Sequence, residues 1–548
     1  TSSFTTSIPT KIVGYYTANI SVFVFTVKEN LDIITKNSHM VSITGVFPTP
    51  RNKTRGISMN PKRLHRQLFH LFQHNLVIKG TLILTITGLV TRVIGFYNRI
   101  FLSHLIGAKE LGIYQLIFPI YLVAFSFTTC GNELALTKLV SEYTRRGNHS
   151  TAWKFFQTCF VWNLFLAILT ASIIYRNADF LCTRILNASG CAPCLRILVL
   201  GIPFMAMKGA IHGYFLGLEQ SEVHGISDFL EQTAKVIGLY LLATFVCARN
   251  TYTAPFAVIG IVIGEIIAFI YSMIALLHHM RTNHLRSCCQ PIHKRQIIHL
   301  FLKDSIPLTT NRLALTALQS MESILIPSAL LTYYHNSTTS LEIYGIFTGM
   351  AFPFIMFPAT ITNSLSTMLL PAVSSANSTS NRSHLSVLCQ KSLQFCLLIG
   401  IFSTIVFFIY GSDIGVCFFS NEKAGMYLYQ LSLLCPFIYL ATTLASILNG
   451  LGLSTYNLFL TVLATGIRIG FILIFVPKIG MYGYVSGLFI SYLVMTFGCL
   501  YRLQKNVTFE LSFSRDIFFP VICFVILGTA SYLLYRQLLH LFPSIPKI

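Results

Sequence analysis

From about residue 75 onward, long apolar runs alternate with short polar ones. Runs such as 155–175, 197–217 and 254–277 hold about twenty residues each, enough for a helix to cross a hydrocarbon core of about 30 Å. Read this way, the chain predicts thirteen helical spans, near 78–102, 113–139, 155–175, 197–217, 226–247, 254–277, 305–330, 344–370, 392–410, 430–450, 456–476, 480–501 and 517–535. Residues 1–74 break the pattern. They are polar and basic, with a β-like patch at 20–27 as the main apolar feature, and are expected to form a disordered extension. Met59, followed by Asn60, Pro61, Lys62 and Arg63 just before the first span, reads as a natural cytoplasmic start, so residues 1–58 are expected to be dispensable.

The spans repeat. Pro203-Phe204, then Gly217-Leu218 and Ser221, recurs as Pro436-Phe437, Gly450-Leu451 and Ser454 at an offset of 233, which also carries Lys235 onto Arg468. Upstream, Ile113-Tyr114 matches Ile343-Tyr344 at 230, and Asn132 with Leu134 matches Asn363 with Leu365 at 231. Downstream, Gly260 and Gly264 match Gly483 and Gly487 at 223. Spans one to six thus recur as seven to twelve. Six crossings return the chain to its starting side, so the halves share one orientation, as in transporters that rock two bundles about a central site. The expected fold is an all-α membrane protein of two six-helix lobes related by a parallel repeat, plus about one extra C-terminal helix. Its boundaries are 75–303 for the first lobe with a basic loop, 304–503 for the second, and 504–548 for the last helix and tail.

Composition agrees. The chain is 54% hydrophobic and 10% charged, with a mean hydropathy of +0.66, whereas soluble domains carry about 25% charged residues. The formal charge of +21 would suggest nucleic acid in a soluble protein. Here the Lys and Arg gather in alternate loops, including Arg145 and Arg146, Arg281 to Lys303, and Arg502 to Arg515, whereas 331–344 has none. The positive-inside rule then places those loops and the N-terminus in the cytoplasm, and no nucleic-acid partner is expected. Fourteen cysteines lie mostly singly in apolar runs. Cys191-x-x-Cys194, with Cys182 nearby, lacks a βαβ setting or a second pair, so a loop disulfide or idle thiols are expected and no zinc site. No P-loop, G-x-S-x-G or H-E-x-x-H motif is present, so the chain does not read as an enzyme, and no cofactor is implied.

The informative residues are charges inside spans. Thr81, Thr85, Gly88, Arg92, Gly95 and Arg99 share one face of the first span, and Thr309, Arg312, Thr316, Gln319 and Ser323 share one face of the seventh. An arginine or lysine at the bilayer centre costs roughly 2.5–3.5 kcal/mol. Arg92, Lys235, Arg312 and Arg468 facing lipid would together cost about 10 kcal/mol, so they are expected to line a watery cavity. Arg99 sits near a span end and either joins them or snorkels to the interface. Glu231, one turn before Lys235, either neutralises it or leaves it available; the repeat puts Ala464 at the equivalent position, so Arg468 is expected to lack a local counter-ion. Glu265 and Glu322 are candidates for offsetting Arg312, binding a coupling cation or gluing helices. Lys208, Glu133 and Lys138 are expected to be structural. Deep charges that are mainly basic, with Arg prominent, suit an anionic substrate bound through forked contacts, with Arg92, Arg99, Lys235, Arg312 and Arg468 as candidate substrate contacts.

The run Lys79-Gly80-Thr81-Leu82, then Thr91-Arg92-Val93-Ile94-Gly95-Phe96, Arg99-Ile100-Phe101-Leu102-Ser103 and Gly112 to Pro119 resembles the N-terminal signature of the stage V sporulation protein B group. That group lies in the polysaccharide-biosynthesis branch of the multidrug/oligosaccharidyl-lipid/polysaccharide superfamily. The resemblance extends to about residue 510. It implies two lobes in a V, alternating access, and flipping of undecaprenyl-pyrophosphate-linked sugars, such as the peptidoglycan precursor lipid II, across a bacterial cytoplasmic membrane by a monomer, with a coupling cation as a further partner. It also places Arg92 near the substrate, because the peptidoglycan flippases share Arg-x-x-Gly-Phe there; their second Arg falls one residue before Arg99, on Asn98. Members often have fourteen helices, one more than expected here. Flipping of another lipid-linked glycan, drug export, and a non-transporting scaffold for wall or spore assembly are the alternatives.

Overall fold

Helix starts are set where a short polar side chain takes up the free amides of a first turn. Asn148 accepts from Thr151 N at 3.1 Å, Asn336 from Thr338 N at 2.9 Å and Asn421 from Ala424 N at 3.1 Å, opening the third, eighth and tenth spans. The turns between spans one and two and between seven and eight use left-handed backbone, at Gly107 (φ 75°) and His335 (φ 53°). The computed structural model describes residues 76–245, 253–282, 294–378, 382–507, 516 and 518–541. Among these there is no β-strand, and the expected extension at 1–74 lies outside them.

Within the described residues, each of the thirteen expected spans falls on helix. Leu76–Phe125, bent at Gly107, carries the first span and the start of the second, which continues through a π-helical turn, Ser126–Cys130, into Gly131–Arg145. The third is His149–Arg176, and the fourth is Ala192–Val199 with Ile202–Gly217, bent by 41°. Glu222–Phe245, Ala254–Thr282 and Lys294–Tyr334 follow as the fifth to seventh. The eighth runs from Ser337–Gly345 through a π-helical turn, Ile346–Ala351, and Phe352–Met356 to Ala359–Ser378. The ninth is Arg382–Phe419, and the tenth joins Glu422–Leu431 to Cys435–Gly450. Ser454–Ile474, Met481–Asn506 and Phe519–Leu541 complete the set. Among the described residues, nine helical segments are apolar enough to cross a membrane on their own. The fifth span is not one of them, because Glu222, Asp228, Glu231 and Lys235 crowd its length.

The halves pack alike. Span five lies against one and six, and span four against two, three and six; span eleven lies against seven and twelve, and span ten against eight, nine and twelve. This is the pairing two copies of one six-helix unit would give. Span thirteen stands outside it on span nine, with Tyr410 Oη 2.6 Å from Ser531 Oγ. The helix of span seven runs through the expected lobe boundary at 303/304. Its first turns nevertheless belong with the first half, because Ile297 and Phe301 are buried against Phe155, Tyr214 and Leu276.

The halves meet along two seams. Near the Gly107 and His335 turns, a Cβ on Gly112 would lie 2.0 Å from Leu341 O and one on Gly345 2.2 Å from Ala108 O, so only glycine lets these backbones cross. Spans two and seven stay in contact over their length. Ser320 Oγ donates to Pro119 O at 3.1 Å, Ser126 Oγ lies 2.7 Å from Thr316 Oγ1, Ser305 donates to Asn132, and Lys138 pairs with Asp304 at 2.9 Å. Spans one and eight pack through Phe96 on Phe354 and Phe357, with ring centroids 4.9 and 4.7 Å apart. Beyond that level Ala359–Ser378 touches the first helix only sparsely. Apolar side chains such as Val161, Phe165, Phe497 and Tyr501 are exposed on the outside, the surface a bilayer requires. Cys182, Cys191 and Cys194 are buried free thiols, the second of the two expectations for them.

Candidate functional site

Removing a charge from water is expensive unless a partner comes with it, and the deep charges of this chain divide on that point. In the first half, Lys208 of span four is buried, with Nζ 2.6 Å from Glu231 Oε2 of span five and 2.7 Å from Glu265 Oε2 of span six. Lys235 reaches Glu231 Oε1 at 3.5 Å, and Tyr121 of span two donates to Glu265 Oε1 at 2.7 Å. Two ammonium groups thus meet two carboxylates, and four helices are tied at one level. Gly264 makes room: a Cβ there would meet Glu231 O at 2.9 Å.

The second half builds a smaller version. Arg468 Nε of span eleven donates to Glu322 Oε1 of span seven at 2.6 Å, and Nη2 to Thr465 Oγ1 at 3.2 Å. Tyr484 Oη of span twelve donates to the same carboxylate oxygen at 3.0 Å, and the guanidinium lies 5.9 Å from the Tyr492 ring centre. Arg468 has no acid on its own helix, but it is not left free for a substrate as expected, because Glu322 neutralises it. The carboxylate comes from another helix, 146 residues earlier in the chain, where spacing along span eleven gives no sign of it.

Arg92, Arg99 and Arg312 are different. All three are exposed, and none has an ion-pair partner among the described residues. Their depths are not equal. The offset of 230 that joins Ile113 to Ile343 puts Glu322, not Arg312, opposite Arg92. Arg312 lies ten residues before Glu322, or about 15 Å along a helix. By this offset the two arginines are staggered along the bundle rather than level with each other. Of the expected site residues, Lys235, Glu231 and Glu265 are brought together, as are Arg468 and Glu322, and the three arginines remain separate. Lys208, expected to be structural, sits at the centre of the first network; a lysine midway along an apolar helix, five residues after Pro203, is the signal that could have marked that network.

This bundle has the fold of the MOP-superfamily transporters. A lipid II flippase solved in an inward-closed conformation matches 84% of this chain and 92% of its own, with a TM-score of 0.61 at 15% identity. A multidrug resistance transporter of the MATE family, solved facing outward, matches 79% and 98%, with a TM-score of 0.57 at 15% identity. The chain belongs to the polysaccharide biosynthesis protein family, which it matches over residues 77–377. Stage V sporulation protein B of Bacillus subtilis is similar to it, 23% identical over 410 residues that cover 74% of this chain and 79% of that protein. The protein is thus a multi-pass membrane protein of that family, built on the MOP-superfamily transporter fold.

Proposed function

We propose that the protein is a flippase that carries an anionic lipid-linked oligosaccharide of the undecaprenyl-pyrophosphate type, such as lipid II, across the bacterial cytoplasmic membrane by alternating access. The observation that carries this reading is the division of charge. Lys208, Lys235 and Arg468 are neutralised by carboxylates, while Arg92, Arg99 and Arg312 remain accessible on spans one and seven. What such a surface offers a substrate is positive charge in forked form, suited to phosphate. A cationic drug would meet repulsion there.

The basic loops put the Lys138 end of the bundle in the cytoplasm. The glycine crossing then closes the outer end, and spans one and eight part toward the inside, where a lipid headgroup would enter from the inner leaflet. Arg312, nearer the cytoplasmic end, meets the pyrophosphate first, and Arg92 receives it about 15 Å farther along. Glu231, Glu265 and Glu322 serve as charge balance rather than as ligands for a coupling cation, because each already holds a lysine or arginine. The test is complementation of a bacterial strain depleted of its lipid II flippase, with lipid II counted on the outer face. Restored exposure is expected; growth failure with normal membrane insertion and no lipid II outside would refute this substrate.

A further inference from the structure

Beside the first charge network lies a second cluster with different chemistry. Span four presents Lys208, Gly209, His212 and Gly213 over little more than one turn. A Cβ on Gly213 would sit 2.9 Å from Glu133 O and 3.3 Å from Glu133 Cγ, and one on Gly209 3.6 Å from Glu133 Oε2. These glycines let span two lay its carboxylate against His212, which is itself buried. His224, at the start of span five, completes the group. The imidazole nitrogens and the Glu133 carboxylate have ligand atoms that all lie within 4.8 Å of one another.

The hydrogen bonds around the rings decide which atoms face inward. Ser272 Oγ donates to Ala268 O at 2.9 Å, so its oxygen accepts from His212 Nε2 at 3.3 Å, and the His212 lone pair is left on Nδ1. On the other ring, His224 turns Nε2 toward Asp228 Oδ2 at 3.8 Å. The two Nδ1 atoms then stand 2.7 Å apart. In the metal-free state one ring donates its N–H to the other across that distance, and the same two nitrogens are the pair a metal ion would hold once it displaced that proton. An outer partner on Nε2 with Nδ1 aimed inward is how metal-binding histidines are held. A carboxylate as third donor favours the ion, and two imidazoles favour a transition metal over magnesium or calcium.

We propose that Glu133, His212 and His224 bind a divalent transition-metal ion of the zinc class, with water as fourth ligand and with Asp228 and Ser272 as positioning residues. Tetrahedral bonds of about 2.0 Å set ligand atoms about 3.3 Å apart, so the rings open by roughly 0.6 Å to admit it. Span four carries both this site and Lys208, four residues apart, so the ion fastens spans two, four and five one turn from the charge network. No sequence motif announces it, because Glu133 is 79 residues before His212.

The test uses the full chain, free of any affinity tag, in lipid nanodiscs, stripped with chelator and titrated with zinc chloride or, for an optical signal, cobalt chloride. One equivalent per chain, tetrahedral cobalt absorption and a raised melting temperature are expected. His224 is half-buried, so His224→Ala should keep the metal-free melting temperature and lose stoichiometric binding, and Asp228→Asn should weaken binding 10- to 100-fold. A folded wild-type protein that binds no equivalent of either ion would mean that the imidazoles share a proton, which overturns the proposal. Equal affinity in wild type and His224→Ala would overturn it too, by placing the metal elsewhere.

Discussion

The sequence offset of 233 pairs two basic residues, Lys235 and Arg468, and the two halves neutralise them from different directions. In the first half the counter-ion lies on the same helix, at Glu231, which Lys208 also holds. In the second half it comes from span seven, at Glu322, the position that corresponds to Arg92 in span one. Because carboxylates on spans five and six already balance the first half, span one needs no acid, and its equivalent place is free to carry an arginine. The repeat therefore keeps a neutral core in each half, and leaves its surplus positive charge on the accessible faces.

That comparison is sharpened most by Lys208. Replacing it with Met leaves two buried carboxylates facing each other with only Lys235 nearby, and breaking a buried pair costs about 3–5 kcal/mol. A large fall in melting temperature or in folded yield is expected, partly restored by Glu265→Gln; an unchanged melting temperature would break the account of the network. Arg468→Gln strands a single carboxylate that keeps its Tyr484 hydrogen bond, so its cost should fall near the lower end, about 3 kcal/mol. The Arg468→Gln, Glu322→Gln double variant should recover most of that stability in the same thermal assay. Glu231→Gln should not rescue Arg468→Gln, since the partner Arg468 loses is Glu322.

The next effect is functional rather than structural. Arg92 is exposed and unpaired, so Arg92→Ala should leave stability within about 0.5 kcal/mol. A charge-assisted contact is worth about 1.5–3 kcal/mol, so flipping should drop by roughly one to two decades, with partial recovery in Arg92→Lys, whose point charge replaces a fork. The smallest effect belongs to Lys235→Gln. Glu231 keeps Lys208 at 2.6 Å and is not stranded, so the loss in thermal stability is expected to stay below the roughly 3–5 kcal/mol of a broken buried pair.

How much of this was legible along the chain depends on distance. The thirteen spans were, because each apolar run is local. The ion pairs were legible only where partners share a helix, as with Glu231 and Lys235. Lys208 reaches acids 23 and 57 residues away, and Arg468 one 146 residues away, so helix packing rather than spacing joins them. The join at 303/304 fell inside a continuous helix for a related reason. Ile297 and Phe301 serve the first half, and no glycine or proline marks the change until Pro307.

The central claim is that the unpaired arginines work on the substrate while the paired charges hold the fold. It is tested most directly by counting lipid II on the outer face of cells depleted of their own flippase and supplied with Arg92→Ala or with Arg468→Gln, Glu322→Gln at matched membrane abundance. The account predicts a 10- to 100-fold loss for Arg92→Ala and near wild-type exposure for the neutral double variant. Normal flipping by Arg92→Ala together with loss in the double variant would contradict it, and would assign substrate binding to the buried pair.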